Sequence, residues 1–192
     1  MSYARGKPSF GGHMTNSESK NVIVYFTRTG NTQAIAELIH KKRGGDLFKI
    51  ETRLPYPIDY QQQVAQNVSE QTNDVLPSLK TKIINFAQYE IVFIGTPTWN
   101  MALPQPVISF IKQYDWRGKT VIPFNTNGGY GPGTTFAQIQ NLITPANLLP
   151  GLTIKGGEEI NGKKLVIKDN VRLQAEQQVN DWLYQLNLPL YK

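Results

Sequence analysis

The sequence predicts a doubly wound α/β domain built on a five-stranded parallel sheet. Three observations carry that expectation. Short apolar runs rich in β-branched residues recur along the chain, the kind buried on both faces of a parallel sheet. Stretches with helical spacing alternate with them. Loops rich in glycine, threonine and proline follow the first, third and fourth apolar runs, at the strand ends where such a sheet takes its ligand.

Taken in order, residues 21–26 (NVIVYF) form the first strand. Residues 31–42 follow with helical spacing, with Ala34, Ile35, Leu38 and Ile39 on one side. Lys41, Lys42 and Arg43 suit the negative end of that helix, and Gly44-Gly45 ends it. Residues 47–51 are the second strand, stopped by Pro55 and Pro57. Residues 61–70 and 79–86 are expected to be helical, separated by a polar break at 71–77. Residues 91–94 form the third strand, and 105–114 a helix burying Val107, Ile108, Phe110 and Ile111. The fourth strand is 120–125, a helix covers 134–142, and 152–155 is the fifth strand. Asn161-Gly162 has the character of a hairpin turn before 164–168, and 171–186 is a final amphipathic helix.

The domain is expected over 21–188, with residues 1–20 as a tail. Residues 1–13 are Gly-rich and lack a hydrophobic period. His13-Met14 resembles a cloning junction, so Met14 reads as the natural start.

Composition removes several functions. A chain of 192 residues, 40% hydrophobic, is long enough for one domain with a sizeable core. With no cysteine there is no disulfide, thiolate metal site or Cys nucleophile. His13 and His40 are the only histidines, too few for a histidine metal centre. No run is long enough to span a bilayer and no secretory leader is evident, so the expected location is cytoplasmic. The net charge of +6 is spread over scattered lysines and arginines, read as solvated faces and helix ends, not as a nucleic-acid stripe.

The three loops carry the chemistry. The first is Thr27-Arg28-Thr29-Gly30-Asn31-Thr32. Gly30 permits a sharp turn, and the amides opening the next helix have no partners within it and attract an anion. Threonine hydroxyls add neutral donors, so the loop suits a phosphate. There is no Walker-type lysine, which argues against an ATPase. Plain helix capping by Asn31 or Thr32 explains this loop alone equally well. The second, residues 95–104, holds Pro97, Thr98, Trp99, Asn100, Met101 and Ala102. Trp99 serves either as a lid on the core or as a cover for a flat aromatic ring. The third, residues 125–133, holds Thr126, Asn127, Gly128, Gly129, Tyr130 and Gly131. Taken alone it reads as a flexible surface loop. Together, at three matched strand ends, the loops point to a phosphate-bearing aromatic ligand.

The motifs Pro55-Tyr56-Pro57-Ile58-Asp59-Tyr60, Gly95 to Trp99 and Thr126 to Gly133 match PYPxDY, GxPxW and TxGGxGxG. By them the chain resembles a subgroup of the flavodoxins, from Asn21 onward. The resemblance implies strand order 2-1-3-4-5 and FMN as cofactor. It places the FMN phosphate on Thr27, Arg28, Thr29, Gly30, Asn31 and Thr32. It places the flavin ring between the second loop (Pro97, Thr98, Trp99, Asn100, Met101, Ala102) and the third (Thr126, Asn127, Gly128, Gly129, Tyr130, Gly131). Trp99 would cover one face and Tyr130 the other. No catalytic acid or base is implied, because the flavin carries the electrons. Tyr60 is expected to pack under the second loop.

The chain departs from that family in two ways. Flavodoxins often have a glycine in the second-loop peptide that turns with redox state, and Asn100-Met101-Ala102 has none. Many flavodoxins are strongly acidic, whereas this chain is basic and its loops hold one charge, Arg28. That implies a less negative reduction potential and acidic redox partners, one reductase and one acceptor. The function expected is electron transfer. The alternative on the same fold is an FMN-dependent NAD(P)H:quinone-type reductase. A receiver-like signalling domain would need acidic residues at the strand ends, where threonines stand.

Overall fold

In a computed structural model, which describes residues 20–158 and 162–188, the strands run parallel in the order β2-β1-β3-β4-β5, with β6 beside β4. The elements are β1 (Lys20–Tyr25), α1 (Asn31–Arg43), β2 (Asp46–Lys49), α2 (Tyr60–Thr72), β3 (Tyr89–Pro97), α3 (Gln105–Ile111), β4 (Thr120–Asn127), α4 (Thr135–Leu142), β5 (Asn147–Leu148), β6 (Leu152–Lys155) and α5 (Asp169–Gln185). The expected 2-1-3-4-5 order is therefore present.

The strands alternate their side chains between two cores. Val22, Val24, Val92, Ile94 and Val121 meet Val107, Phe110 and Ile111 of α3 and Ile139 of α4. Ile23, Tyr25, Ile91, Phe93, Ile122 and Phe124 meet Ile35, Leu38 and Ile39 of α1 and Val179 and Trp182 of α5. That is why these strands read as continuous apolar runs, since both faces are covered. Each such side chain, fully buried like Phe93, stabilises the fold by roughly 1.5–3 kcal/mol.

The fifth sheet position is split, and Pro123 explains why. The amides of Asn147 and Leu149 donate to the carbonyls of Lys119 and Val121, both 2.9 Å, and that of Gly156 donates to Asn127, 2.8 Å. Odd-numbered residues of β4 thus face the fifth position, and Pro123 among them has no N–H to give. The pairing stops after Val121↔Leu148 and resumes at Phe124↔Leu152. Gly151 passes close beside the Pro123 ring in the gap. The expected fifth strand is β6; β5 was not foreseen.

Three other expectations are corrected. Residues 79–86 are not helical: Leu79 bridges Thr52, and the Lys80 amide donates to Glu51 O at 2.8 Å. Hydrogen bonds to the segment after β2 have replaced those of a helix, and a short 3-10 turn, Phe86–Gln88, leads into β3. The helix expected over 105–114 ends at Ile111, whose carbonyl accepts from the Trp116 indole, 2.8 Å. Residues 164–168 are not a strand; beyond the Glu158↔Lys163 bridge, Asn31 takes the amides of Val166 and Ile167. Asn161 of the expected turn, and residues 1–19 of the expected tail, lie outside the described residues. No described helix is long and apolar enough to cross a membrane.

Candidate functional site

A cleft of about 630 Å³ opens at the carboxyl ends of β1, β3 and β4. That lies within the roughly 300–1,000 Å³ usual for small-molecule sites. Thr27, Arg28, Thr29, Asn31 and Thr32 line it from the first loop, Pro97, Thr98, Trp99 and Asn100 from the second, and Thr126, Asn127, Gly128, Gly129 and Tyr130 from the third.

In the first loop, Gly30 takes φ +90° and its amide donates to Thr27 Oγ1 at 3.1 Å. It is the N-cap of α1, and no side chain caps that helix. Capping by Asn31 or Thr32 is thereby excluded, and the first-turn amides are left without a capping acceptor. The polar atoms of the Asn31 side chain are taken up by the protein: Oδ1 accepts from Val166 N (2.9 Å) and Ile167 N (3.1 Å), and Nδ2 donates to Lys164 O (2.7 Å) and Thr29 Oγ1 (2.8 Å). Only its backbone amide remains for an anion. Thr32 is buried, its hydroxyl 2.8 Å from that of Thr126, which ties the first loop to the third. Arg28 reaches sideways, donating to the carbonyls of Pro57 (2.8 Å) and Ile58 (2.9 Å). Its guanidinium fastens the segment before α2 to this loop.

In the second loop, Trp99 is half-buried and packs edge-on against Phe26 (5.2 Å) and Tyr56 (5.3 Å). Phe26 and Tyr56 are its aromatic supports, and Tyr60 lines the same cleft. The backbone of Trp99 and Ala102 closes a tight turn through two hydrogen bonds of 3.1 and 3.0 Å, with Asn100 at φ 49° and Met101 at φ 58°. Left-handed backbone suits Asn but is strained for Met. The turn is held from outside: Gln71 donates to Trp99 O and Leu103 O, and Thr134 donates to Met101 O from its amide and hydroxyl.

In the third loop, Asn127 Oδ1 accepts the amides of Gly129 (2.9 Å) and Gly131 (3.1 Å). One side chain thus shapes the glycine turn. Gly131 O accepts from Thr98 Oγ1 at 3.1 Å, joining the second and third loops. Tyr130 stands out from the tip, 86% exposed.

Residues 20–171 match the family model described as Flavodoxin. The chain belongs to the flavodoxin family. A flavodoxin from Synechocystis sp. (strain ATCC 27184 / PCC 6803 / Kazusa) is 26% identical over 125 residues, which cover 63% of this chain and 59% of that relative's length. A candidate flavoprotein from Bacteroides eggerthii DSM 20697, known from a crystal structure, is 27% identical with a TM-score of 0.71, covering 89% of this chain and 99% of that one. A flavoprotein from Lactobacillus acidophilus NCFM, solved in complex with FMN, shares the fold at 18% identity and a TM-score of 0.63, covering 74% of this chain and 97% of the other.

Not every candidate residue of this flavodoxin-family chain lines the cleft. Gly30 and Ala102 shape turns behind it, Gly131 is anchored to Thr98, and Met101 points to solvent, 49% exposed. Conversely, the sequence reading missed one whole wall: Tyr60, Gln63, Val64, Asn67 and Val68 of α2 line the cleft, as do Lys155, Gly156, Gly157 and Glu158 beyond β6. The available signal was the helical spacing of Tyr60, Val64 and Val68, an apolar stripe that faces the cleft and joins neither core.

The charges at this flavodoxin-family cleft nearly cancel. Lys155 pairs with Glu158 at 2.7 Å, and Arg28 is held on carbonyls. Behind Trp99, Tyr56 donates its hydroxyl to Glu70, and burial first, then that carboxylate, pushes its pKa well up. Among the described residues no cluster of His, Asp or Glu could hold a metal ion.

Proposed function

We propose that this chain binds FMN in the cleft and carries electrons between a reductase and an acceptor. One observation carries the reading: α1 begins at a left-handed Gly30 with no side-chain cap, directly beside the Thr27 and Thr29 hydroxyls, in a cleft walled by Trp99. A helix start left open among neutral donors suits a phosphate. The half-buried indole, backed by Phe26 and Tyr56, suits a flat ring system. A protein of the same fold solved with FMN supports that flavin in particular.

When bound, FMN supplies the redox chemistry itself. The amides of Asn31 and Thr32 and the hydroxyls of Thr27 and Thr29 hold the phosphate. Trp99 and Tyr130 flank the ring, Trp99 fixed by its aromatic neighbours and Tyr130 exposed at the tip. Thr98, through Gly131, and Thr32, through Thr126, keep the three loops in register. The partners are acidic proteins, matched to a chain of net charge +6, and the setting is the cytoplasm.

The test is titration of the purified protein with FMN, followed by flavin fluorescence and visible absorption. Tight binding with flavin bands that bleach on chemical reduction is expected, and no binding would overturn the reading. Rapid NADPH oxidation by the FMN-loaded protein without an added reductase would replace the carrier with a reductase.

A further inference from the structure

Helix α2 has its polarity inverted. Its buried residues are Gln63, Asn67 and Glu70, at the helical spacing of a single face, while Val68 is 41% exposed. No α2 residue belongs to either apolar core. The helix is held by polar contacts instead. Asp59 caps its start by accepting from Gln62 N at 2.9 Å. Glu70 accepts from Tyr56, and Gln71 donates to the Trp99 and Leu103 carbonyls.

Glu70 and Gln71 thus have protein partners. Asn67 does not. It is 3% exposed, lines the cleft, and its Oδ1 is buried with no donor in reach. Gln63, also 3% exposed, stands one turn earlier on the same wall. A buried carbonyl oxygen without a donor costs about as much as a lost hydrogen bond, so native proteins rarely keep one that is never used. The terminal torsion of a carboxamide is soft, and a turn about it brings either polar atom to the cleft.

We infer that Asn67, with Gln63 beside it, recognises the imide edge of the flavin ring. This rests on FMN occupying the cleft. The imide edge presents an N3–H between two carbonyls. A carboxamide matches that pattern, its oxygen accepting from N3–H and its nitrogen donating to a neighbouring carbonyl. The N3–H is the one N–H donor the oxidised ring offers. Helix α2 accordingly reads the ring edge through its two carboxamides, while the first loop reads the phosphate.

The experiment compares FMN with N3-methyl-FMN on the wild type, on Asn67→Leu and on Gln63→Met. The wild type should bind N3-methyl-FMN roughly ten- to a hundredfold more weakly than FMN, the loss expected for one buried hydrogen bond. N67L should lose a similar factor for FMN and discriminate little between the two flavins. The melting temperature of ligand-free N67L should equal or exceed that of the wild type, since the residue has no partner to lose. Gln63→Met reports on the same edge should N67L fail to fold. Equal binding of both flavins by the wild type would overturn the inference while leaving FMN binding intact. So would an N67L protein that is destabilised without ligand yet still discriminates as the wild type does. A wild type that binds neither flavin would overturn the FMN reading itself.

Discussion

Asn31 and Val166 lie 135 residues apart in the chain and 2.9 Å apart in the fold, the Val166 amide donating to Asn31 Oδ1. The same oxygen takes Ile167 N, and the side-chain nitrogen serves Lys164 O and Thr29 Oγ1. A residue of the first loop therefore ties the segment entering α5 to the start of α1. Replacing it by alanine leaves two amides without acceptors. Asn31→Ala should cost at least about 2 kcal/mol, at roughly 2–4 °C of melting temperature per kcal/mol in a chain this size. Asn31→Asp keeps the acceptor for both amides but puts negative charge into the first turn. It should recover much of the stability and weaken FMN more than riboflavin, which lacks the phosphate. An alanine variant as stable as the wild type would show that these bonds contribute nothing.

Gly95 owes its place to Phe124, not to a ligand. A Cβ built on it would lie 2.2 Å from Phe124 Cζ, a fully buried ring at its partner position in β4, in the core covered by α1 and α5. Gly95→Ala should destabilise by about 1–3 kcal/mol, the usual cost of overpacking. Pairing it with Phe124→Leu should return part of that loss, so the double-mutant cycle gives a coupling energy of the opposite sign to the single losses. Strict additivity in urea denaturation would mean the two positions do not meet.

Two tyrosines set the alkaline limit. Tyr89 is pushed up to about 12, by burial first and then by its hydrogen bond to Asp46. Tyr56 is raised further, by burial and by Glu70. Both are held neutral in the fold, while an unfolded tyrosine ionises near 10. Their contribution is fully present below about pH 10; that of Tyr89 is lost as pH rises through about 12, and that of Tyr56 at higher pH still. Phenolate absorbance should therefore keep a late phase that Tyr89→Phe diminishes, and Tyr89→Phe should lose less stability than the wild type between those values. A wild-type titration completed near pH 10 in the native state would contradict this.

The near-neutral cleft should show in the reduction potential. With Glu158 paired to Lys155, no acid lining the cleft stands uncompensated against an anionic reduced ring. A redox titration of the FMN-loaded protein should give a two-electron potential less negative than that of an acidic flavodoxin. The difference should shrink as salt rises, because exposed charges beyond about 10 Å are screened at 0.1 M. A potential as low as the acidic protein's would reject the expectation.

Local composition alone determined the alternation of strands and helices, the three loops at one sheet edge and the glycine that opens α1. Apolar runs covered on both faces, helical spacing and turn residues act over a few positions, so they are legible one residue at a time. Pro123 was legible too, since a proline inside TVIPFN foretells a broken ladder, but only the pairing of β4 said which neighbour would break. The rest was decided by tertiary contact. Asn31 could equally have capped a helix or bound a ligand until residues 164–167 came to occupy its side chain. Arg28, the one charge in the three loops, lines the cleft while its guanidinium is held by the carbonyls of Pro57 and Ile58. The apolar stripe of helix α2, Tyr60, Val64 and Val68, lines the cleft instead of joining a core, and the face beside it packs through carboxamides and a carboxylate. Which side of such a helix is buried depends on partners far along the chain, and so it was the fold that turned Gln63 and Asn67 toward the cleft.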